Sequence, residues 1–343
     1  MSKIQFMMKS FLTTILFVLF TFLGKSQSVE TSPIKWLSIQ EAEELCKTNP
    51  RKIIIDFYTD WCGWCKVMDK NTFSNPSIAN YISQNYYAVK FNAETFDTIT
   101  FKDKQYTNKG TGNRSPHDLA VELLNGKMSY PTMLFLDEKL NIISPIAGYM
   151  TPDKIEPILV FFGQDVYKQI PFEEFSSYFD KTFKDSIQRP ELVKWYTFEE
   201  AVELNTKNPK KIVLHLYADY SILSKIMHKT SFNHPEIARY INENYYPVSF
   251  DVLSKDTVHF KNNLFINENK EHPFHQLAVS LLQGKMSFPQ VVYLGSDNNL
   301  ISVVPGYFPP EVLETVLHFF KDDAFKTTKF DDYRKTFQSN IPK

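Results

Sequence analysis

The chain is poor in cysteine and carries almost no net charge. Only three of its 343 residues are cysteines: Cys46, Cys62 and Cys65. Exported domains that depend on disulfides for stability carry more cysteines, in even number, so we expect packing to hold this chain together. Lysine and arginine number 38, and aspartate and glutamate number 39. This balance argues against electrostatic capture of nucleic acid or of an anionic membrane surface, and we expect no nucleic-acid partner.

The sequence has one long apolar run and lacks a second. The run extends over residues 11–23 and follows Lys3 and Lys9, a pattern typical of a secretory signal peptide. At about 13 residues it is shorter than the roughly 20 that span a bilayer. We predict that residues 1–26 are the signal peptide and that the mature protein has no membrane span. A retained membrane anchor is the alternative.

The sequence repeats itself at the length of a domain. The segment "EAEELCKTNPRKIIIDFYTD", which begins at Glu41, matches "EAVELNTKNPKKIVLHLYAD", which begins at Glu200. Further on, "LAVELLNGKMSYPTMLFLDE" matches "LAVSLLQGKMSFPQVVYLGS", and the offset changes from 159 to 158 residues. Units of about 150 residues are domains rather than solenoid repeats. We therefore predict two domains, 27–188 and 189–343, with enough apolar residues (43% of the chain) to fill two cores.

Within each unit, signals for strands and helices alternate. Residues 52–58 form an apolar run rich in β-branched side chains, which predicts a buried strand. Asn75 followed by proline predicts the start of a helix. Residues 98–107 predict a hairpin, and Ser115 resembles the first residue of a capping box. A last helix is predicted from Thr151 onwards. This pattern predicts an α/β fold in which helices flank a central mixed sheet.

The most specific motif is "DFYTDWCGWCK", which runs from Asp56 to Lys66. A Cys-x-x-Cys between an apolar strand and a helix is typical of a redox pair. The unpaired N–H groups and the dipole at a helix N-terminus favour negative charge, so we expect Cys62 to be a nucleophilic thiolate. Cys65, one turn later, would then resolve the mixed disulfide.

Other interpretations of these residues are open at the level of sequence. The pair could be a permanent structural disulfide, or half of a zinc site that recruits Cys46 and His117 to reach about four ligands. Asp56 could be a surface acid, although the isoleucines before it place it on a buried strand. Lys90 could be a solvated strand residue or the partner of that acid. Cys46 itself is interpreted as a buried, inert thiol, with dimerisation through it as the alternative.

The motif and its surroundings resemble thioredoxin, and the form "WCGWCK" resembles the exported branch of thioredoxin-like proteins. The resemblance implies that Asp56 assists deprotonation of Cys65 and that Lys90 pairs with Asp56. It also implies that Tyr130 and a cis-Pro131 hold the substrate backbone. The motif residues that flank or separate the cysteines would support the reaction: Trp61, Gly63, Trp64 and Lys66.

The sequence departs from thioredoxin in two respects. Trp64 stands where thioredoxin has proline, and this position tunes the redox potential, so the direction of catalysis is open. The segment from Glu94 to Ser115 is longer than in thioredoxin. We expect it to add a hairpin and a loop beside the site and to restrict substrates.

The second unit keeps the scaffold and loses the chemistry. Ser221 and Ser224 replace the cysteines, Tyr220 replaces Trp61, His215 replaces Asp56, and Ser249 replaces Lys90. We predict a non-catalytic thioredoxin-like domain whose retained proline loop and exposed groove could bind extended polypeptide. Seven of the eight histidines lie in this unit, but their spacings match no known ligand pattern, and we predict no metal site.

The leading hypothesis is an exported thiol–disulfide oxidoreductase that acts on protein disulfides or thiols as a reductase, oxidase or isomerase. No organic cofactor is implied, because the cysteine pair carries the electrons. Reduction would require electrons from a partner such as a membrane thiol carrier. The periplasm is the expected compartment, with the extracellular space or a secretory lumen as alternatives. The competing hypothesis is a chaperone-like adaptor that binds polypeptide in two thioredoxin-like grooves.

Overall fold

The computed structural model describes residues 34–112, 114–187 and 189–341. The predicted signal peptide, residues 1–26, lies outside these ranges. The chain divides into two compact units, Met1–Ile155 and Glu156–Lys343. This division falls inside a helix, whereas the repeat predicts a boundary near residue 188, and that boundary stays a prediction. In the described part of the chain, no helix combines the length and the apolar character that a membrane crossing requires.

A five-stranded mixed sheet forms the centre of the first unit. Its central strand is parallel to one neighbour and antiparallel to the other. That strand is buried along almost its whole length, which confirms the predicted strand at residues 52–58. In spatial order the strands are β1 (Trp36–Leu37), β3 (Tyr86–Asn92), β2 (Lys52–Tyr58), β6 (Thr132–Leu136) and β7 (Ile142–Ala147). The predicted hairpin is also present, as β4 (Ile99–Phe101) and β5 (Lys104–Tyr106).

The helices that flank this sheet begin where local sequence favours them. The side chain of Asn75 accepts hydrogen bonds from the backbone of Ser77 and Ile78, which confirms the predicted helix start. The helices are α1 (Ile39–Thr48), α2 (Gly63–Met68), α3 (Pro76–Asn85), α4 (Asp118–Leu123) and α5 (Pro152–Gly163). A π-helical turn, Asp69–Phe73, continues α2 directly.

One predicted helix start was wrong. Ser115 does not cap α4, because its hydroxyl donates to the carbonyl of Gly112. Instead, His117 is the N-cap, and its Nδ1 accepts a hydrogen bond from the backbone of Leu119. The buried His275 caps the corresponding helix of the second unit in the same way, so both histidines have a structural role.

The second unit repeats the architecture of the first. Its sheet has four strands, in the order β13 (Leu300–Pro305), β12 (Gln290–Leu294), β8 (Lys211–Tyr217) and β9 (Tyr245–Asp251). Tyr196 makes a single bridge to Val248 where the first unit has β1. A hairpin of β10 (Val258–Phe260) and β11 (Asn263–Phe265) is retained. The helices are α6 (Phe172–Phe183), α7 (Phe198–Lys207), α8 (Ile222–Ile226), α9 (Pro235–Asn244), α10 (Gln276–Leu282), α11 (Pro310–Lys321) and α12 (Phe330–Thr336).

Candidate active site

The cysteine pair lies where the central strand passes into a helix. Cys62 is the N-cap of α2, and its Sγ accepts a hydrogen bond of 3.1 Å from the backbone N–H of Cys65. The two residues are joined by a disulfide, with their Cα atoms 5.3 Å apart, and both are buried. A sulfur in this position faces the unpaired N–H groups of a helix start, which favour a negative charge.

The two residues proposed as further zinc ligands are engaged elsewhere. The thiol of Cys46 is buried and donates to the carbonyl of Arg51 at 3.2 Å. Burial also raises the pKa of this thiol. The ring of His117 contacts the carbonyl of Asp97 and the backbone N–H of Leu119. Cys46 is thus a buried free thiol, as predicted, and the absence of a zinc site stays a prediction.

Asp56 and Lys90 form an ion pair beneath the end of the central strand. They are directly paired across β2 and β3, and Lys90 Nζ lies 2.7 Å from Asp56 Oδ2. Asp56 is 1% exposed, and no described residue hydrogen-bonds its Oδ1. Burial raises the pKa of this carboxyl against the opposing effect of the Lys90 charge. The surface-acid and solvated-lysine alternatives are therefore wrong, and Asp56 can hold or accept a proton.

A second acid, which the sequence interpretation missed, also binds Lys90. Asp69 begins the π-helical turn, and its Oδ1 accepts a hydrogen bond from Lys90 Nζ. Its side chain is 45% exposed, so Lys90 bridges a buried carboxylate and one in contact with solvent. A signal was available, because Asp69 follows Cys65 by four residues and therefore lies on the same helix face.

Aromatic rings surround the ammonium group of Lys90. Its Nζ lies 5.0 Å from the ring centroid of Trp36, 5.3 Å from that of Tyr58 and 5.5 Å from that of Phe73. Ring faces attract a cation and also limit its contact with water. This aromatic box therefore keeps a positive charge beside Asp56.

Trp61 is held from several sides although half of it is exposed (50%). Its Nε1 donates to the carboxylate of Glu94, at 2.9 and 3.1 Å to the two oxygens. The guanidinium carbon of Arg114 lies 4.6 Å from its ring centroid, and Tyr130 packs edge-on at 6.3 Å. Burial raises the pKa of Tyr130 to about 12. The peptide bond between Tyr130 and Pro131 is cis, as predicted.

The remaining residues of the motif face outward. Trp64 is 62% exposed and stacks on Tyr149, with the centroids 5.4 Å apart. Gly63 and Lys66 are also exposed. Open space surrounds the Cα of Gly63, so packing does not require glycine there. The structure thus brings Trp61 and Tyr130 into contact with each other, whereas Gly63 and Lys66 lie on the exposed surface of α2.

The corresponding position in the second unit is built in the same way, without sulfur. Ser221 caps α8, and its hydroxyl donates to the carbonyl of Phe288 at 3.1 Å. The peptide bond between Phe288 and Pro289 is cis. Ser224 is buried, and no described residue hydrogen-bonds its hydroxyl. A serine hydroxyl cannot replace a thiolate in disulfide exchange.

The charged cluster around Lys90 is replaced by stacked rings in the second unit. His215, opposite Ser249, is fully buried, and neither of its ring nitrogens has a partner among the described residues. Burial keeps its pKa well below the usual value. His228 stands at the position of Asp69 and stacks on His215 at 5.7 Å. The aromatic box itself is retained: Trp195, Tyr217 and Phe232 surround the two histidines.

A helix covers one side of this degenerate site. Helix α6 packs against α8 and the turn that follows it. Phe175 lies 6.5 Å from the ring of Tyr307, the counterpart of Tyr149, and Tyr307 is only 2% exposed. Lys229 Nζ donates to the carbonyl of Thr182 at 3.1 Å. Helix α6 thus covers this side of the site, whereas Tyr220, the counterpart of Trp61, is 64% exposed, and the polypeptide-binding groove stays a prediction.

The comparison with known protein families gives a match in both units. The family described as a thioredoxin-like domain matches residues 39–163 and 198–321. The thiol:disulfide interchange protein DsbD of Haemophilus influenzae is 30% identical over 133 residues, which cover 37% of this chain and 20% of that protein. DsbD of Vibrio vulnificus is 35% identical over 69 residues, which cover 18% and 12% respectively. The chain thus spans about a fifth or less of the length of these relatives.

Two solved structures align with part of this chain. A thioredoxin-fold protein from Helicobacter pylori aligns with a TM-score of 0.30 and 20% identity, over 47% of this chain and 95% of that chain. An oxidoreductase named DsbH aligns with a TM-score of 0.26 and 16% identity, over 36% and 80%.

Proposed function

The chain belongs to the thioredoxin-like domain family in both of its units, and on this basis we propose that it is an exported thiol–disulfide oxidoreductase. It would act on protein disulfides through Cys62 and Cys65. One observation carries the proposal: the two cysteines are bonded to each other at a helix start, in the same unit as a buried carboxyl with a raised pKa. The second unit contributes no thiol.

The reaction begins with the thiolate of Cys62. Its sulfur attacks one sulfur of the substrate disulfide and forms a mixed disulfide, while the other substrate sulfur leaves as a thiolate. The N–H groups at the start of α2 stabilise the negative charge on Cys62 before the attack. Trp61 and Tyr130, with Pro131, would dock the substrate chain beside this sulfur.

Cys65 completes the exchange. Asp56 accepts the proton of the Cys65 thiol, and the resulting thiolate attacks Cys62 Sγ. This step forms the bond between Cys62 and Cys65 and releases the second substrate thiol. Two electrons have then passed from the protein to the substrate, and the reverse sequence oxidises a substrate dithiol.

The electrons must come from or go to a partner. No organic cofactor is required, because the cysteine pair carries both electrons. In the reductase direction a membrane thiol carrier would return the pair to its reduced form. The predicted signal peptide supports a location in the periplasm, and the relatives named thiol:disulfide interchange protein support the exchange reaction. An oxidase or isomerase would need a different partner.

Insulin-disulfide reduction with dithiothreitol as donor tests the proposal. We expect Cys62→Ser to abolish catalysis and Cys65→Ser to accumulate a mixed disulfide that reducing agents release. Cys46→Ala is the matched control, because this thiol is buried, free and hydrogen-bonded to the carbonyl of Arg51, and the variant should retain activity. If insulin were reduced as fast with the Cys62→Ser/Cys65→Ser protein as with the wild type, the cysteine pair would not be catalytic. The protein would then be a binding adaptor instead.

A further inference from the structure

The long segment between Glu94 and Ser115 holds Trp61 at both of its ends. Glu94, at the start, accepts the hydrogen bond from the indole nitrogen. Arg114, near the end, places its guanidinium over the indole ring at 4.6 Å. The side chain of Trp61, which precedes Cys62, is thus held in place by two residues that lie outside the cysteine motif.

The loop does not need these two residues in order to fold. The side-chain amide of Asn108 ties the loop together through the carbonyls of Glu94, Thr95 and Ser115. In the second unit, Asn267 makes the same three bonds to the corresponding carbonyls, those of Leu253, Ser254 and Pro273. The tie is therefore a property of the shared fold.

The residues that grip the indole are present only in the unit with cysteines. By the same correspondence, Leu253 replaces Glu94 and His272 replaces Arg114, while Tyr220 replaces Trp61. A loop of the same construction has lost all three together. The contacts of Glu94 and Arg114 with the indole therefore serve the redox site rather than the stability of the loop.

Arg114 occupies its place at a conformational cost. Its backbone φ is +79°, in the left-handed region that residues other than glycine rarely adopt. Its exposed side chain makes no ion pair with any described residue. Because the ring of Trp61 covers one face of the guanidinium, the N–H groups along its edge are available. Such an edge binds a carboxylate through two parallel hydrogen bonds.

We propose that Arg114 is a specificity-determining residue that selects polypeptide disulfides flanked by aspartate or glutamate. The proposal rests on the proposed function and adds a substrate class to it. A substrate carboxylate next to the reacting cysteine would bind the guanidinium edge while the peptide contacts Trp61. Glu94 would hold the indole and leave the guanidinium for the substrate, because its two oxygens share the indole N–H.

The test uses three synthetic disulfide peptides that differ only in the residue next to the cysteine: glutamate, glutamine or lysine. For the reduced full-length protein we expect kcat/KM to be about two- to fivefold higher for the glutamate peptide than for the glutamine peptide, as one exposed ion pair provides. Arg114→Gln should equalise the three peptides, and Arg114→Glu should favour lysine. Arg114→Lys should retain part of the preference, through charge without the planar edge.

The controls separate this proposal from the proposed function. Reaction with the neutral disulfide of 2-mercaptoethanol gives the basal rate of each Arg114 variant, and the preference is the ratio of kcat/KM for the glutamate and glutamine peptides, from which a change in that basal rate cancels. A wild type without preference for the glutamate peptide, or an Arg114→Gln protein that keeps it, would overturn the specificity while leaving exchange intact. If the wild type reacted with none of the disulfides, the proposed function would fail, and the specificity with it.

Discussion

At the scale of single residues, the ion pair of Asp56 and Lys90 determines what the site can do. A buried carboxyl normally loses its proton only with difficulty, and an adjacent ammonium reverses part of that effect. In this protein burial outweighs the ammonium, and the pKa of Asp56 lies above its ordinary value of 3.8. Asp56 can therefore exchange a proton closer to neutral pH than a surface aspartate can.

The raised pKa predicts how stability depends on pH. Above about pH 4 the unfolded chain has lost the proton of Asp56, whereas the folded protein still holds it, so the free energy of unfolding falls as pH rises through this window. The free energy of unfolding should fall by about 1.4 kcal/mol for each unit by which the pKa of Asp56 differs between the folded and unfolded states. Asp56→Asn should remove this fall. Urea unfolding between pH 4 and 8 measures it. Asp60→Asn, a change at an exposed acid, is the control, and an Asp56→Asn protein with the pH dependence of the wild type would contradict the prediction.

The residues of the site were predicted unevenly from the sequence. The cysteine motif, Asp56 and Lys90 were identified because their spacing matches a known pattern, and the structure brings the last two together. Asp69 and Arg114 were missed. The helical spacing from Cys65 to Asp69 was a signal that was not used, whereas Arg114 reaches Trp61 across a loop with no periodic signal.

At the scale of secondary-structure elements, helix α6 has a role that only the structure shows. Sequence patterns predicted the strands and most helix starts, because these follow from local periodicity and capping residues. The side on which a helix packs depends on contacts distant in sequence. The burial of Phe175 against Tyr307 is such a contact, and it closes one side of the degenerate site.

Removing the side chain of Phe175 should weaken the packing of helix α6 on both Tyr307 and Phe161. Phe175 is fully buried, so we expect Phe175→Ala to lower the free energy of unfolding by about 3–5 kcal/mol. Phe183→Ala on the same helix, at a side chain 43% exposed, should cost less than about 1 kcal/mol. Denaturant unfolding followed by circular dichroism measures both. Insulin reduction by Phe175→Ala should persist under conditions in which the first unit stays folded. An equal loss in the free energy of unfolding for the two variants would contradict the assigned packing.

At the scale of the whole molecule, the two units are copies of one fold with different chemistry. The aromatic box and the cis-proline are present in both. The cysteines and the charged cluster are present only in the first unit. The repeat itself was evident from the sequence, because long segments match directly. The covered site in the second unit was not, because the surface on which helix α6 packs is set by contacts distant in sequence.

Restoring the cysteines in the second unit should therefore not restore activity. In a protein whose first pair is removed, Ser221→Cys with Ser224→Cys should form a disulfide and yet turn over about 100-fold more slowly than the wild type, because a buried histidine replaces the acid. The insulin assay measures this rate. The reference is the protein with its first cysteine pair intact. Turnover equal to that of the wild type would show that the charged cluster is dispensable.

Equilibration of the protein with glutathione buffers of graded potential is the most direct test of the redox assignment. We expect the bond between Cys62 and Cys65 to open and close reversibly, with a potential between about −270 and −120 mV, as in thiol–disulfide oxidoreductases. A bond that stays closed at potentials below about −300 mV would be a structural disulfide and would rule out catalysis by this pair.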